Sequence, residues 1–330
     1  MDTFYYIIIL VIIALIFDFL NGFNDSANIA ATIIASRSMS PRAALNLAAL
    51  AGFAGPFIFG VAIARTIASD IVIIDFITIQ VLIAALCGAA SWSLITWLSG
   101  IPVSSSHALI GGLIGAILIA AGSDALLIKG IIKIIIVLFT SPLAGFVFGW
   151  IIVKILYLLL RSASPRANLF FKWGQVPTAI SLAAGNAAND AQKTMGIIAL
   201  GLMVAGYQQH FFVPLWVVFA CAAAKSLGSF FGGWRIIRVM GSRFYRIKPL
   251  HSFSSQLASS VIIMTASLVG GPVSTTQVVS MSVIGAGAGE RLSMVRWAAL
   301  KDIMISWLLT VPLAGLMAVP FYWLLKFFTP

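Results

Sequence analysis

Asn21-Gly22-Phe23-Asn24-Asp25 returns 165 residues later as Asn186-Ala187-Ala188-Asn189-Asp190. Pro102-Val103-Ser104-Ser105-Ser106-His107 returns after 170 residues as Pro272-Val273-Ser274-Thr275-Thr276-Gln277, and Thr140-Ser141-Pro142-Leu143-Ala144-Gly145 returns, again after 170, as Thr310-Val311-Pro312-Leu313-Ala314-Gly315. Three matches in one order and nearly one register make the chain a duplication. The period is far too long for a solenoid unit. We divide the sequence into a first repeat, 1–160, a short linker, 161–172, and a second repeat, 173–330.

Both repeats are solvated by lipid. Hydrophobic residues make up 61% of the chain and charged residues 9%, against about 25% charged in a soluble domain; mean hydropathy is +1.08. The apolar runs, about 20–30 residues each, are long enough to cross a hydrocarbon core of roughly 30 Å. The first run follows Met1-Asp2-Thr3 without a basic stretch, so it reads as a retained helix and not a cleaved signal. Cys87 and Cys221 lie inside apolar runs and form no disulfide or zinc spacing. The net charge of +11 is spread over short gaps between apolar runs, the pattern of the positive-inside rule. Nucleic acid is not an expected partner; the lipid bilayer is.

The apolar runs fall at about 4–36, 43–64, 76–99, 102–122 and 131–160, then at about 174–206, 211–233, 252–270, 272–289 and 297–328. Basic residues follow the first run (Arg37, Arg42), the fifth (Arg161, Arg166, Lys172), the seventh (Arg235, Arg238, Arg243, Arg246, Lys248) and the ninth (Arg291, Arg296). All face one side, the cytoplasm, if both termini are outside. Each half then has an odd number of crossings, and the second half is inserted upside down. The uncharged connectors 99–102 and 269–272 leave two options: two full spans each, or a re-entrant hairpin. Parity is the same for both. The expected fold class is therefore all-α, a polytopic membrane protein of two inverted repeats of about five hydrophobic segments, with broken or re-entrant helices near the midplane. That is the build of a secondary transporter.

In the first motif Asn21, Asn24 and Asp25 share one helix face, as Asn186, Asn189 and Asp190 do in the second. An acid at the centre of a spanning helix costs about 2.5–3.5 kcal/mol. Two at matching positions need a compensating cation. Carboxylate and amide oxygens are hard ligands suited to sodium, and a carboxylate can also carry a proton. Asp25 and Asp190 are thus the expected sodium or proton sites, with Gly22 and Gly185 allowing the helix to break and free carbonyls. Helix capping alone would not explain duplication at mid-membrane. Asp18, opposite Ala183 in the register, is a supporting acid.

The Pro-Val-Ser-[Ser/Thr]-[Ser/Thr] motifs follow glycine and precede apolar helical runs. Proline favours the first helical turn and Ser/Thr the N-cap. Each motif should sit at a helix N-terminus, where free N–H groups and the dipole favour an anion. Ser104, Ser105 and Ser106 could then face Ser274, Thr275 and Thr276 across one tetrahedral oxyanion. Lys193, opposite Asn28, either adds positive charge beside that anion or neutralises Asp190. Lys225 reads as snorkelling or ion-paired, the His107/Gln277 pair as sharing a hydrogen-bonding role, and the Pro-Leu-Ala-Gly pair as a kink with close packing. No His/Cys cluster, G-x-S-x-G or Walker loop is present, so neither an enzyme nor a cofactor is expected.

Together these residues resemble the inorganic phosphate transporter (PiT) family, bacterial or archaeal type. Gly22-Phe23-Asn24-Asp25-Ser26-Ala27-Asn28 is similar to one signature of that family and Ala188-Asn189-Asp190-Ala191-Gln192-Lys193 to the other; the paired hydroxyl motifs match too. The resemblance implies inverted repeats, external termini, uptake of inorganic phosphate driven by sodium or protons with alternating access, and a homodimer in the cell inner membrane. It places cation sites at Asp25, Asn24, Asn28, Asp190 and Asn189, and the hydroxyl motif at 104–106 and 274–276. A sulfate or other oxyanion symporter of the same build is the nearest alternative. An anion channel would keep the hydroxyl tips without needing two buried acids.

Overall fold

The computed structural model describes residues 3–161, 164, 166–242 and 244–328, without the side chains of 239–242 and 299. Arg243 of the topology argument and residues 162, 163 and 165 of the linker lie outside the described residues. Among the described residues twelve α-helices follow one another: α1 (Thr3–Ala35), α2 (Pro41–Ile58), α3 (Ala62–Asp70), α4 (Ile79–Ser99), α5 (Ser105–Ala121), α6 (Ile128–Leu159), α7 (Ala167–Val204), α8 (Leu215–Phe231), α9 (Trp234–Ser242), α10 (Pro249–Val269), α11 (Thr275–Glu290) and α12 (Trp297–Phe328). The helices α1–α6 are repeated in order by α7–α12, with a short 3-10 turn after both α5 and α11; the 3-10 turn Ile74–Phe76 after α3 has no counterpart after α9 among the described residues. Among the described residues five helices are long and apolar enough to cross a membrane, or six if α2 and α3 count as one bent span.

The breaks lie elsewhere than the sequence reading puts them. α1 and α7 run unbroken through Gly22 and Gly185. Gly22 instead brings two helices together, because a Cβ there would collide with the Lys225 carbonyl of α8. The run 43–64 is the one that breaks: α2 and α3 meet at 68°, with Gly60 left-handed at φ 71° between them. Its counterpart breaks at Gly232, φ 67°, and continues as α9. Arg235 and Arg238, assigned to a connector by their charge, therefore lie on a helix.

Each repeat also contributes a hairpin. α4 ends on left-handed Gly100 and α10 on left-handed Gly270, where a side chain would strain the backbone. The chain then passes through Pro102 or Pro272 into α5 or α11. Both proline-containing connectors are mostly buried and they touch: the Ser106 hydroxyl donates to the Val273 carbonyl at 2.9 Å. Joints between full spans would lie in the water layers. These two meet inside the protein, so each pair of helices is a re-entrant hairpin.

The repeats are interleaved. α5 packs on α12 and α11 on α6; α8 packs on α1 and α7 on α2. Small residues allow the close approach. Gly111 and Gly115 face the backbone of Val311 and Gly315, and Gly285 faces that of Phe146. Gly145 and Gly315, from the duplicated Pro-Leu-Ala-Gly, sit in these contacts, the close packing expected of that motif.

Candidate functional site

The hairpin tips meet the two acidic motifs. Because Asp25 and Asp190 occupy equivalent places in inverted repeats, α1 and α7 bring them to one spot, fully buried. A single ammonium bridges them: Lys225 Nζ of α8 lies 2.9 Å from Asp25 Oδ2 and 2.8 Å from Asp190 Oδ2. Lys193, one turn beyond Asp190, donates to Asp190 Oδ1 at 2.6 Å, to the Ser106 hydroxyl at 2.5 Å and to the Val273 carbonyl at 3.0 Å. Of the two roles considered for Lys193, the contact with Asp190 is the ion pair of the second. It neutralises Asp190, and it holds positive charge against both hairpin tips. Buried lysines of this kind need partners of opposite sign, and each has one.

The hydroxyls complete the ring. Thr275 Oγ1 donates to Asp190 Oδ2 at 3.1 Å, and Thr276 Oγ1 to Asp25 Oδ1 at 3.2 Å. Asn28 Nδ2 donates to Asp25 Oδ1 at 2.9 Å and reaches Thr276 Oγ1 at 3.1 Å. Ser104 and Ser274 are N-caps: they accept from the backbone N–H of His107 (3.1 Å) and Gln277 (3.4 Å). His107 and Gln277 share that capped position, and His107 Nδ1 also lies 2.7 Å from Ser104 Oγ. The N–H groups of residues 105–106 and 275–276 precede the first intrahelical bonds, donated by Ala108 and Val278. They belong to the orphan donors of a helix start. The start of α11 meets the acids through Thr275 and Thr276, and the start of α5 meets Lys193 through Ser106. Ser105 is the one hydroxyl of the two motifs without a side-chain bond among the described residues.

The asparagines differ from the carboxylates. Asn21 Oδ1, Asn24 Oδ1, Asn189 Oδ1 and both polar atoms of the Asn186 amide are buried without a hydrogen-bond partner, although Asn189 Nδ2 donates to Ser267 Oγ and to the Gly271 carbonyl. A buried acceptor without a donor costs about 1–3 kcal/mol. These four amide oxygens are hard ligands on the two helices that carry Asp25 and Asp190. Asp18, about two turns before Asp25 on α1, accepts from Thr194 Oγ1 at 2.6 Å, holding α1 to α7.

Two functional contacts escaped the sequence reading. Ser26 Oγ accepts from Gly233 N at the start of α9 (3.0 Å), and Gln192 Oε1 accepts from Ile63 N at the start of α3 (2.9 Å). Each repeat thus caps the broken helix of the other. The asymmetry of Gln192 against Ala27 is the signal; its partner, Ile63, has none in sequence.

Inverted repeats, re-entrant tips, and buried acids sharing lysines with helix N-termini define a multi-pass membrane transporter of charged solutes. Comparison with known proteins gives the family. The sequence model of the phosphate transporter family matches residues 21–169 and again 161–318; the chain belongs to that family. It is 42% identical over 325 residues to a probable low-affinity inorganic phosphate transporter of Bacillus subtilis (strain 168), covering 97% of each chain. It is 41% identical over 315 residues to one of Rhizobium meliloti (strain 1021), covering 95% of this chain and 94% of that one. The solved structure of a sodium-dependent phosphate transporter superposes with a TM-score of 0.88 at 25% identity, covering 98% of this chain and 99% of the other.

Proposed function

We propose that this protein imports inorganic phosphate by cation-coupled symport with alternating access, and that Asp25 and Asp190 couple the two solutes. The observation that carries the proposal is competition for donors. Lys225, Thr275 and Thr276 are engaged by the two carboxylates, and Lys193 is divided between Asp190 and the hairpin tips. These are the groups an oxyanion at the helix N-termini would need. A cation on the carboxylates releases the donors, and the donors then hold phosphate. By linkage, each solute raises the affinity for the other by the same factor.

Coupling is also required energetically. Moving a dianion inward against 100 mV, inside negative, costs about 4.6 kcal/mol, so uphill import needs accompanying cations. In this reading phosphate is held by Ser105, Ser106, Thr275, Thr276 and Lys193, with Ser104 and Ser274 shaping the helix starts. The cations are held by Asp25, Asp190 and the amide oxygens of Asn21, Asn24, Asn186 and Asn189, while Asn28 orients Asp25. The sodium dependence of the superposed transporter supports sodium as the coupling ion. The repeats at 1–160 and 173–330, the cytoplasmic linker 161–172, termini outside, the inner membrane and a homodimer complete the proposal.

Uptake of labelled phosphate into proteoliposomes, under a sodium gradient and a pH gradient imposed separately, tests it. Accumulation driven by one of them, and not outcompeted by sulfate, is the expected result. Uptake that only equilibrates, whatever the gradient, would make the protein a channel.

A further inference from the structure

Beside the central site lies a hollow of about 640 Å³, open to the protein surface and lined by Phe23, Trp97, Gly232, Trp234, Arg235 and Arg238. Two of these residues are cations, and no carboxylate lines it among the described residues. Arg235 is level with the tip of the first hairpin: a Cβ on Gly100 would stand 3.1 Å from its Nε. Arg235 itself is exposed and lies against the buried connector that starts at Gly100. Its guanidinium faces either water or an anion. The indole of Trp97 points to the second. Its Nε1–H is buried without an acceptor, while its ring packs edge-on against Phe23, with centroids 5.4 Å apart. The hollow also adjoins the site. Phe23 precedes Asn24, and Arg235 precedes Ile236; Asn24 and Ile236 line a small cavity with Asn28, Pro102 and Thr276.

The repeats show that this is an added feature. Ile63 and Ala64 of α3 correspond in burial to Ile236 and Ile237 of α9, which sets Ala62 opposite Arg235. Ala62 packs its backbone on Gly270 where Arg235 packs its side chain on Gly100. Gly100 meets the Arg235 side chain, whereas Gly270 meets the Thr66 hydroxyl and the Ala62 carbonyl.

We propose that Arg235 and the Trp97 indole form a second anion site, a staging post that holds inorganic phosphate between the central site and the water on the α9 side. The guanidinium supplies charge and paired donors suited to a phosphate oxygen pair. The indole supplies one further N–H. The site makes the two mouths unequal and speeds passage of a dianion through a low-dielectric layer. This rests on the reading of the protein as a phosphate carrier.

Equilibrium dialysis of the purified full chain with labelled inorganic phosphate, together with proteoliposome uptake, tests it. Wild type should bind two phosphates per chain. Arg235→Gln should weaken one of them about tenfold to a hundredfold and lower the maximal uptake rate more than it changes KM; Arg235→Lys should restore most of the rate. Should Arg235→Gln not fold, Trp97→Phe removes the indole donor while keeping an aromatic ring, and should weaken the same phosphate several-fold. One phosphate per chain in wild type that still takes up phosphate, or two undiminished in Arg235→Gln and Trp97→Phe, overturns the staging site alone. Wild type that neither binds nor takes up phosphate overturns the transport reading on which it stands.

Discussion

Asp25 and Asp190, 165 positions apart in the chain, share one ammonium: Lys225 Nζ stands 2.9 Å from one and 2.8 Å from the other. The duplication places the two acids as equivalents, but the bridge between them has no equivalent of its own. Lys225 therefore converts two repeat-related sites into one electrostatic unit. Whatever binds one acid changes the field at the other.

Removing the bridge should be costly. Lys225→Met would leave two buried carboxylates facing each other with only Lys193 to compensate. Breaking a buried pair by removing one partner costs about 3–5 kcal/mol. Thermal unfolding in detergent should show a large loss of stability. Sodium chloride should restore part of it if sodium takes the vacated place, and choline chloride should not.

The hydroxyls should not be equal. Thr275 and Thr276 each donate to a carboxylate, and Ser105 to none among the described residues. Thr275→Ala should therefore affect phosphate and cation binding together, whereas Ser105→Ala should affect phosphate alone. A lost hydrogen bond to a charged group is worth about 1.5–3 kcal/mol, or roughly tenfold to a hundredfold in affinity. Calorimetry of the two single variants and their double variant measures this; the double should lose more than either.

Much of this architecture was legible in the chain. The doubled N-x-x-N-D and Pro-Val-Ser motifs placed the acids and the helix starts, because chemistry at a pseudo-symmetric centre has to be written once per repeat. The partners of Lys225 were not legible. α8 carries one lysine in an apolar run, and only the fold shows that it passes between α1 and α7. Gly22 misled for a physical reason. Glycine permits a helix break and a close helix approach equally, and sequence does not distinguish them; the Lys225 carbonyl against Gly22 does. The hairpins were undecided because α4 and α10, at 21 residues each, are about 31 Å long, enough for either a span or a re-entrant arm.

That close approach gives a packing prediction. Gly22→Ala would press a methyl into the Lys225 carbonyl, and a backbone atom cannot rotate away. Overpacking of this sort costs about 1–3 kcal/mol and here would also push Lys225 off the acids. Reduced yield of folded protein and weakened phosphate binding should appear together.

The inversion can be read from outside the molecule. Single cysteines at Ser40 and Ser164 should react with impermeant thiol reagents only from the cytoplasmic face, and one at Gln209 only from the opposite face. Labelling of Ser164 and Gln209 from the same side would mean that the second repeat is not inverted.

The competition between carboxylate and phosphate for one set of donors is tested most directly by phosphate binding to purified Asp25→Asn, by calorimetry with and without sodium and at two pH values. The amide keeps the shape and loses the charge that engages Lys225 and Thr276. Phosphate affinity should be at least as high as in wild type and no longer respond to the coupling cation, while concentrative uptake is lost. Loss of phosphate binding in folded Asp25→Asn, or affinity that follows the cation as in wild type, would contradict the account.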